Sequence, residues 1–237
     1  GADTFGVAVK AAGTVGLSGS GAKSGKTRWT IQEGTLELSK STGVNAINSG
    51  GVTIESGGTM RNLVTHQISD SGNVSIQNGG AWDLNSFSET INSLGLASGS
   101  SLSLGTAQLI VENQAAGVWA GTISGSSGGS IVKKGANTIS VTGNNAAMAS
   151  HWFVVGGIVG FNHANAGGST MIYLGETSGG DAATIDISSA GVNMVTDITV
   201  RDGSSGAKTI DNASGGTVTF SGDILLDDNV TFSAGSG

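Results

Sequence analysis

Short segments in which apolar and polar residues alternate recur throughout the chain. In the stretch Asp181–Ser233, Ile185 and Ile187 flank Asp186, and similar triplets follow at short intervals. Strict alternation buries one face of a strand and leaves the other in water. Each segment is closed by Gly, Ser, Asn or Asp, and the segments follow one another too closely for helices to fit between them. The pattern therefore predicts many short strands joined by tight turns.

The same pattern begins at Trp29 and recurs about every 20 residues, which is the size of one solenoid coil. Leu36 and Leu38 flank Glu37, for example, and Val74 and Ile76 repeat the arrangement. We predict β-helix repeats over residues 29–237, forming roughly ten to twelve coils and a rod on the order of 50 Å long. Residues 1–28 are predicted to be an irregular N-terminal cap or assembly segment.

The alternation near the C-terminus predicts which side chains form one shared apolar ladder. The residues predicted to point inward are Ile185, Ile187, Ile198, Val200, Val218, Phe220, Val230 and Phe232. The residues predicted to face solvent between them are Asp186, Thr199, Thr219 and Thr231.

The turn residues leave one alternative fold open. Asn78-Gly79, Gly50-Gly51 and Gly57-Gly58 are pairs that also close antiparallel hairpins, which would indicate a β-sandwich or a barrel. We favour the solenoid because the repeat pattern is the same at both ends of the chain and the turn residues are small throughout. Gly and Asn at corners also supply the left-handed backbone that tight corners need.

Three stretches resemble the passenger-type β-strand repeats of autotransporters and related bacterial surface proteins. They are GGDAATIDISSAGVNMVTDITVRDGSSGAKTIDNASGGTVTFSGDILLDDNVTFSAGSG at 179–237, AWDLNSFSETINSLGLASGSSLSLGTAQLIV at 81–111, and GSIVKKGANTISVTGNN at 129–145. The resemblance covers most of the chain from about Gly34 onward. It implies a right-handed parallel β-helix on the surface of a Gram-negative-type bacterium. It does not specify an activity, because one fold supports many functions.

Composition narrows the possible function classes. The 237 residues include 42 Gly, no Pro and no Cys. The absence of Pro fits a sheet in which most strands have neighbours on both sides, and the absence of Cys excludes disulfides and thiolate chemistry. With a formal net charge of −7 and 11% charged residues, the chain is not basic enough for nucleic acid or an anionic bilayer. The apolar stretch His151–Phe161 is too short for a membrane-spanning helix.

No motif in the sequence indicates catalysis, a cofactor or a metal. His66, His151 and His163 lie far apart. The string Gly19–Thr27 ends in Gly-Lys-Thr but lacks the first Gly of a phosphate-binding loop. The aspartates of the C-terminal half are interpreted mainly as turn caps. One alternative is a weak Ca²⁺ site at Asp227-Asp228-Asn229. The other is a catalytic acid cluster made by stacked coils, for which Asp197 and Asp202 bracket a strand with Arg201 adjacent.

One group of aromatic residues has three open interpretations. Core packing, a carbohydrate-stacking platform or an inter-subunit contact would each use such side chains. The group comprises Trp119, Trp152, Phe153, Phe161 and Tyr173.

The leading functional hypothesis is a non-enzymatic, extracellular structural or adhesive rod that acts as a spacer, fibre or matrix subunit. The alternative is a carbohydrate-binding or carbohydrate-cleaving module. We also expect association end to end, or continuation into further repeats, because the first and last coils of a solenoid expose unpaired backbone groups. The chain is accordingly expected to be a piece of a longer protein or a processed subunit.

Overall fold

The computed structural model describes residues 5–22, 26–113 and 115–235, and these residues form a parallel β-solenoid of about ten turns. The described part contains no helix. Its first twelve strands are β1 (Phe5–Gly19), β2 (Thr27–Lys40), β3 (Val52–Ile54), β4 (Gly58–Asn62), β5 (Asn73–Ile76), β6 (Ala81–Asp83), β7 (Glu89–Ile91), β8 (Ser93–Leu96), β9 (Ser101–Ser103), β10 (Gln108–Val111), β11 (Gly117–Trp119) and β12 (Thr122–Ser124). The next twelve are β13 (Ser130–Lys133), β14 (Thr138–Val141), β15 (His151–Val154), β16 (Gly157–Phe161), β17 (Met171–Leu174), β18 (Ala183–Ile187), β19 (Asn193–Met194), β20 (Asp197–Val200), β21 (Lys208–Asn212), β22 (Thr219–Phe220), β23 (Ile224–Leu226) and β24 (Thr231–Ala234).

The strands line three faces of the solenoid. The first face runs β1-β2-β3-β5-β8-β11-β14-β16-β18-β21-β24. The second face runs β2-β4-β6-β9-β12, and β19 pairs with β22 at the equivalent place in later coils. The third face runs β7-β10-β13-β15-β17-β20-β23. The long strands β1 and β2 each contribute to both the first and the second face.

Coils stack in register, so that equivalent side chains form continuous ladders in the core. On the first face Val52 is opposite Val74 and Ile54 is opposite Ile76. One inward ladder of the first face is almost completely shielded from solvent. It consists of Ile31, Ile54, Ile76, Leu96, Trp119, Val141 and Phe161.

The observed pairing confirms the solenoid and excludes the β-sandwich. Every strand pair in the described part is parallel, whereas two-residue hairpins join antiparallel strands. The Asn-Gly and Gly-Gly pairs instead make corners. Gly51 and Gly79 have φ angles of 74° and 76°, which is the left-handed region that a Cβ disfavours.

The predicted C-terminal ladder is well buried at its start and becomes exposed towards its end. Its four most shielded members are Ile185, Ile187, Ile198 and Val200. The half-buried members that pack against the core are Val218, Phe220 and Val230. Phe232 lies on the inward side of β24, in register with the buried Ile210, but its side chain is 57% exposed. Phe232 lies on β24, which pairs only with β21 within the described part and is therefore covered on one side.

Thr199 points outward as predicted but is shielded from solvent. It lies on the outer side of its strand as the alternation indicates, yet it is only 7% exposed. Its hydroxyl contacts the sulfur of Met171 at 3.0 Å, and its strand neighbours Tyr173 and Leu225 flank it. Neighbouring side chains, rather than the core, remove it from solvent.

The predicted irregular structure over residues 1–28 is wrong for Phe5–Gly19, which forms β1. This strand pairs in parallel with β2 and shifts register between Val9 and Thr14. Its apolar pattern is weak because a terminal strand is covered on one side only, and Val7 and Val15 are 37% and 45% exposed. Residues 1–4 and 23–25 lie outside the described residues.

Close contact between coils predicts a strong effect of a single methyl group. A Cβ at Gly143 would overlap the carbonyl oxygen of Gly121 one coil away. We expect Gly143→Ala to lower the free energy of unfolding by about 1–3 kcal/mol, because overpacking shifts the backbone. Gly16→Ala is the matched control, since nothing lies within 4 Å of its Cβ position. Urea unfolding of both variants measures the difference, and an equal effect at the two sites would contradict the coil spacing.

Candidate functional site

The third face carries an apolar strip on its outer surface. Ile110, Val132, Phe153 and Tyr173 are in register on successive coils, and we call these four residues the apolar lane. The equivalent outward positions of the first face are mostly small or polar. They include Thr30, Thr53, Ser75, Gly95, Ser140, Gly160, Asp186, Asp211 and Ser233. The third face is therefore chemically distinct.

Two rings of the apolar lane stack on each other. The ring centroids of Phe153 and Tyr173 are 4.7 Å apart and the ring planes differ by 10°. Direct neighbours on parallel strands are separated by about 4.8 Å, which suits this stacking. The Cζ atom of Arg201 lies 5.3 Å from the Phe153 centroid and 5.8 Å from that of Tyr173, within cation–π range. The imidazole of His151 meets Tyr173 edge-on at 5.7 Å.

The structure divides the group of aromatic residues for which the sequence left three interpretations open. Trp119, Trp152 and Phe161 are buried in the core. Trp152 contacts both of the others, with centroid distances of 6.0 Å to Trp119 and 5.3 Å to Phe161. Core packing is thus the role of these three residues. Only Phe153 and Tyr173 of the group face outward, and each covers one face of the other's ring.

A groove of about 280 Å³ lies beside the apolar lane. Its lining residues are Gln108, Ile110, Val132, Phe153, Val155 and Arg201. Within the described residues, Arg201 has no carboxylate within 4.0 Å, whereas nearby Lys134 is paired with Glu112 at 2.8 Å. The groove therefore combines apolar walls with one cation that no carboxylate neutralises.

Glu89 is a buried acid that sequence reasoning missed. It occupies an inward position of the third face opposite Leu109 and is 1% exposed. Its Oε2 accepts hydrogen bonds from Asn62 Nδ2 at 2.9 Å and from the backbone N–H of Gln67 at 2.8 Å. Burial raises the pKa of Glu89 to about 7, although these hydrogen bonds favour its charged form.

Lys133 is a buried base on the same face, in register with Val111 and Val154. Its Nζ donates to the carbonyl oxygens of Lys134, Gly135 and Gly156 at 2.7, 2.8 and 3.1 Å. Burial lowers its pKa to about 8. Turn carbonyls, and not a carboxylate, thus solvate this ammonium group.

The aspartates of the C-terminal half mainly serve turns and ion pairs. Asp228 accepts from Lys208 Nζ at 2.8 Å and from the backbone N–H of Asn229, and these contacts lower its pKa. Its carboxylate in the suggested Ca²⁺ site is therefore already engaged. Burial and the neighbouring Asp211 raise the pKa of Asp186. Nowhere in the described ranges do three or more His, Asp or Glu side chains lie together as a metal site would require.

The structure places Arg201 against aromatic rings and not in a cluster with the aspartates that are its sequence neighbours. Its guanidinium contacts Phe153 and Tyr173 and forms no ion pair with Asp197 or Asp202 in the described structure. The spacing of Ile110, Val132 and Phe153 at intervals of about one coil is the signal that would have located the lane.

The described part also contains no helix of the length and apolar character needed to cross a membrane.

Comparisons with known proteins give little guidance. No family model matches the sequence, and no curated protein matches it. A solved structure with some likeness is that of a TibC-catalysed hyper-glycosylated TibA fragment. It is 18% identical, with 97% of each chain covered and a TM-score of 0.21. The low TM-score means that the two backbones do not superpose well, so this likeness identifies no family.

Proposed function

We propose that this chain is a non-enzymatic structural and adhesive rod of a bacterial surface protein, exposed outside the cell. The observation that supports it most is the continuous sheet of the first face. Its order from β1 to β24 comprises ten successive strand pairings. At about 4.8 Å per pairing the sheet spans about 50 Å, a length suited to a spacer.

Stiffness follows from how the coils hold one another. Each inner strand exchanges backbone hydrogen bonds with strands on both sides, and apolar ladders fill the interior. Repeat proteins of this kind derive their stability from contacts between neighbouring coils. Bending the rod would break both the hydrogen bonds and the ladder contacts, so a force applied at one end is transmitted along the axis.

We further propose that the edge formed by the last described coil is covered by another coil of the same repeat type. Leu225, Leu226 and Phe232 are 57%, 51% and 57% exposed there. Another coil would continue the ladders and pair with the free edge of β24. Sedimentation of the purified chain tests association between copies. Linear oligomers that grow with concentration would support it, and a monodisperse monomer at millimolar concentration would contradict it.

The spacer role can be tested by measuring how far the chain holds an epitope tag above a membrane. The chain is placed between a membrane anchor and an epitope tag, and fluorescence energy transfer to a membrane dye reports the height. We expect the chain to raise the tag by about 50 Å, as the strand spacing requires. A Gly/Ser linker of 237 residues is the control, because a flexible chain fluctuates over all distances. Equal transfer for the two chains would contradict the proposal.

The carbohydrate alternative keeps one supporting observation, which is the groove beside the apolar lane. Its lining contains Arg201 but no Asp or Glu. Cleavage of a glycosidic bond uses a pair of carboxyl groups flanking that bond. The groove therefore favours carbohydrate binding over carbohydrate cleavage.

A further inference from the structure

We propose that the groove beside the apolar lane binds a carboxylated sugar unit of an acidic glycan, with the guanidinium of Arg201 holding the carboxylate. The inference rests on the adhesive part of the proposed function and names the ligand class of its binding face. Three features of the groove support it: an apolar wall, a cation without a carboxylate partner, and an adjacent polar side chain.

The apolar wall fits the weakly polar face of a sugar ring. Ile110, Val132, Phe153 and Val155 line one continuous depression. The stack with Tyr173 fixes the Phe153 ring, so little side-chain entropy is lost when a ligand packs against it. The groove volume of about 280 Å³ is close to the lower end of the range of small-molecule sites.

Arg201 supplies charge complementarity. Its guanidinium lies against the two stacked rings and has no carboxylate partner in the described structure. The planar fork of an arginine matches a carboxylate with two parallel hydrogen bonds. The neighbouring cation Lys134 is neutralised by Glu112. An acidic group entering the groove would therefore pair with Arg201.

Gln108 provides a polar group on the opposite side of the lane. Its side chain is exposed, and its Nε2 donates to Ser130 Oγ at 3.2 Å. This bond orients the amide and leaves its carbonyl oxygen as an acceptor for a hydroxyl group of the ligand. A sugar acid presents hydroxyl groups, an apolar ring face and a carboxylate together, and the groove offers one partner for each.

The size and type of surface argue against a protein occupant. Seven strands of about four residues make a face of roughly 400 Å², and a stable protein interface needs about 800 Å² per partner. The backbone groups of the inner strands are already paired within the sheet, so this face offers no edge to an extended peptide. A small ligand, or one sugar unit of a longer chain, fits better.

Titration calorimetry with two matched probes tests the proposal. One probe is an oligosaccharide ending in glucuronate, and the other is the same oligosaccharide ending in glucose. We expect the acidic probe to bind about tenfold more tightly, because only it can form the charge-assisted pair with Arg201. Arg201→Gln should remove that difference, and Arg201→Lys should retain part of it. Phe153→Ala should weaken the binding of both probes.

Arg61→Gln is the matched control, because Arg61 lies on the second face and pairs with Asp83 at 3.3 Å. It should leave binding unchanged, and thermal unfolding of each variant shows that the solenoid is intact. Equal affinity for the two probes, no binding of either at millimolar concentration, or an equal loss in Arg61→Gln would overturn the proposal. None of these results would alter the height of the epitope tag above the membrane. The spacer role is therefore tested independently of the glycan site.

Discussion

Raising the pH from about 4.5 to about 7 is expected to destabilise the folded chain by about 3 kcal/mol through Glu89. Burial raises the pKa of this side chain from 4.5 to about 7, and each unit of pKa difference corresponds to about 1.4 kcal/mol. In this pH range the folded state holds the proton more tightly than the unfolded state, so stability is present at low pH and is lost as the pH rises through 7.

Urea unfolding of the wild-type chain and Glu89→Gln across pH 4–8 measures this contribution. The Gln side chain cannot ionise, so the difference in unfolding free energy between the two proteins should change by about 3 kcal/mol across the range. Comparing the two proteins cancels the titration of the other acids. A difference that stays constant with pH would show that Glu89 is not held in a low-dielectric site.

Lys133 is expected to make folding stability increase with pH in the alkaline range, opposite to the effect of Glu89. Its pKa falls from 10.5 to about 8, so the folded state releases its proton first as the pH rises. Stability should therefore recover between about pH 8 and pH 10.5. Urea unfolding of Lys133→Met over the same pH range should show no such recovery. Lys134→Met is the control and should retain the recovery, because Lys134 lies on the surface and is paired with Glu112.

Trp152→Ala is expected to lower the free energy of unfolding by about 3–5 kcal/mol, the usual cost of truncating a buried large aromatic side chain. Trp152 is 0% exposed and contacts the rings of Trp119 and Phe161. Its removal would leave a cavity in the centre of the solenoid and separate these two rings.

Phe153→Ala is the matched control, because Phe153 is the next residue on the same strand and faces outward. It should cost about 1–2 kcal/mol, since its ring stays half-buried against Tyr173 and loses less apolar area. Guanidinium unfolding followed by tryptophan fluorescence and circular dichroism measures both variants. A larger loss in Phe153→Ala would mean that the two faces of β15 are reversed.

Local sequence predicts the coil architecture well because two simple signals agree. Val52 and Ile54 alternate with polar residues, and Val74 and Ile76 repeat that pattern one coil later. Small residues such as Gly51 then allow the corner between them. Alternation fixes the inward side, and the repeat length fixes which strands become neighbours.

The positions of individual charges and aromatic rings depend on contacts that no local pattern contains. Alternation is ambiguous in His151–Val154, where nearly every residue could be buried, so it cannot separate Trp152 from Phe153. Glu89 and Lys133 occupy inward positions that the hydrophobic pattern assigns to apolar residues. Their partners come from neighbouring coils, 22 residues away for Gln67 and 23 for Gly156. Only the stacked structure brings these groups together.

The residues of the candidate site could not be predicted for the same reason, because they come together only through contacts between coils. Arg201 lies beside Asp202 in sequence, which suggested an acid cluster, but its guanidinium lies against the rings of Phe153 and Tyr173 from other coils. Likewise, Phe232 alternates as an inward residue should, and its exposure depends on whether a further coil covers it. Sequence alternation gives the side of the strand, whereas burial depends on the neighbouring coils.

Distances between spin labels along the first face test the solenoid most directly. The chain contains no Cys, so labels can be attached at Thr53→Cys paired with Ser140→Cys, or with Asp211→Cys. These positions lie on β3, β14 and β21, which are four and seven strand pairings apart. With about 4.8 Å per pairing, the backbone separations should be about 19 and 34 Å. Electron–electron resonance distances that increase in this proportion would support the stacked coils, and a second distance no longer than the first would contradict them.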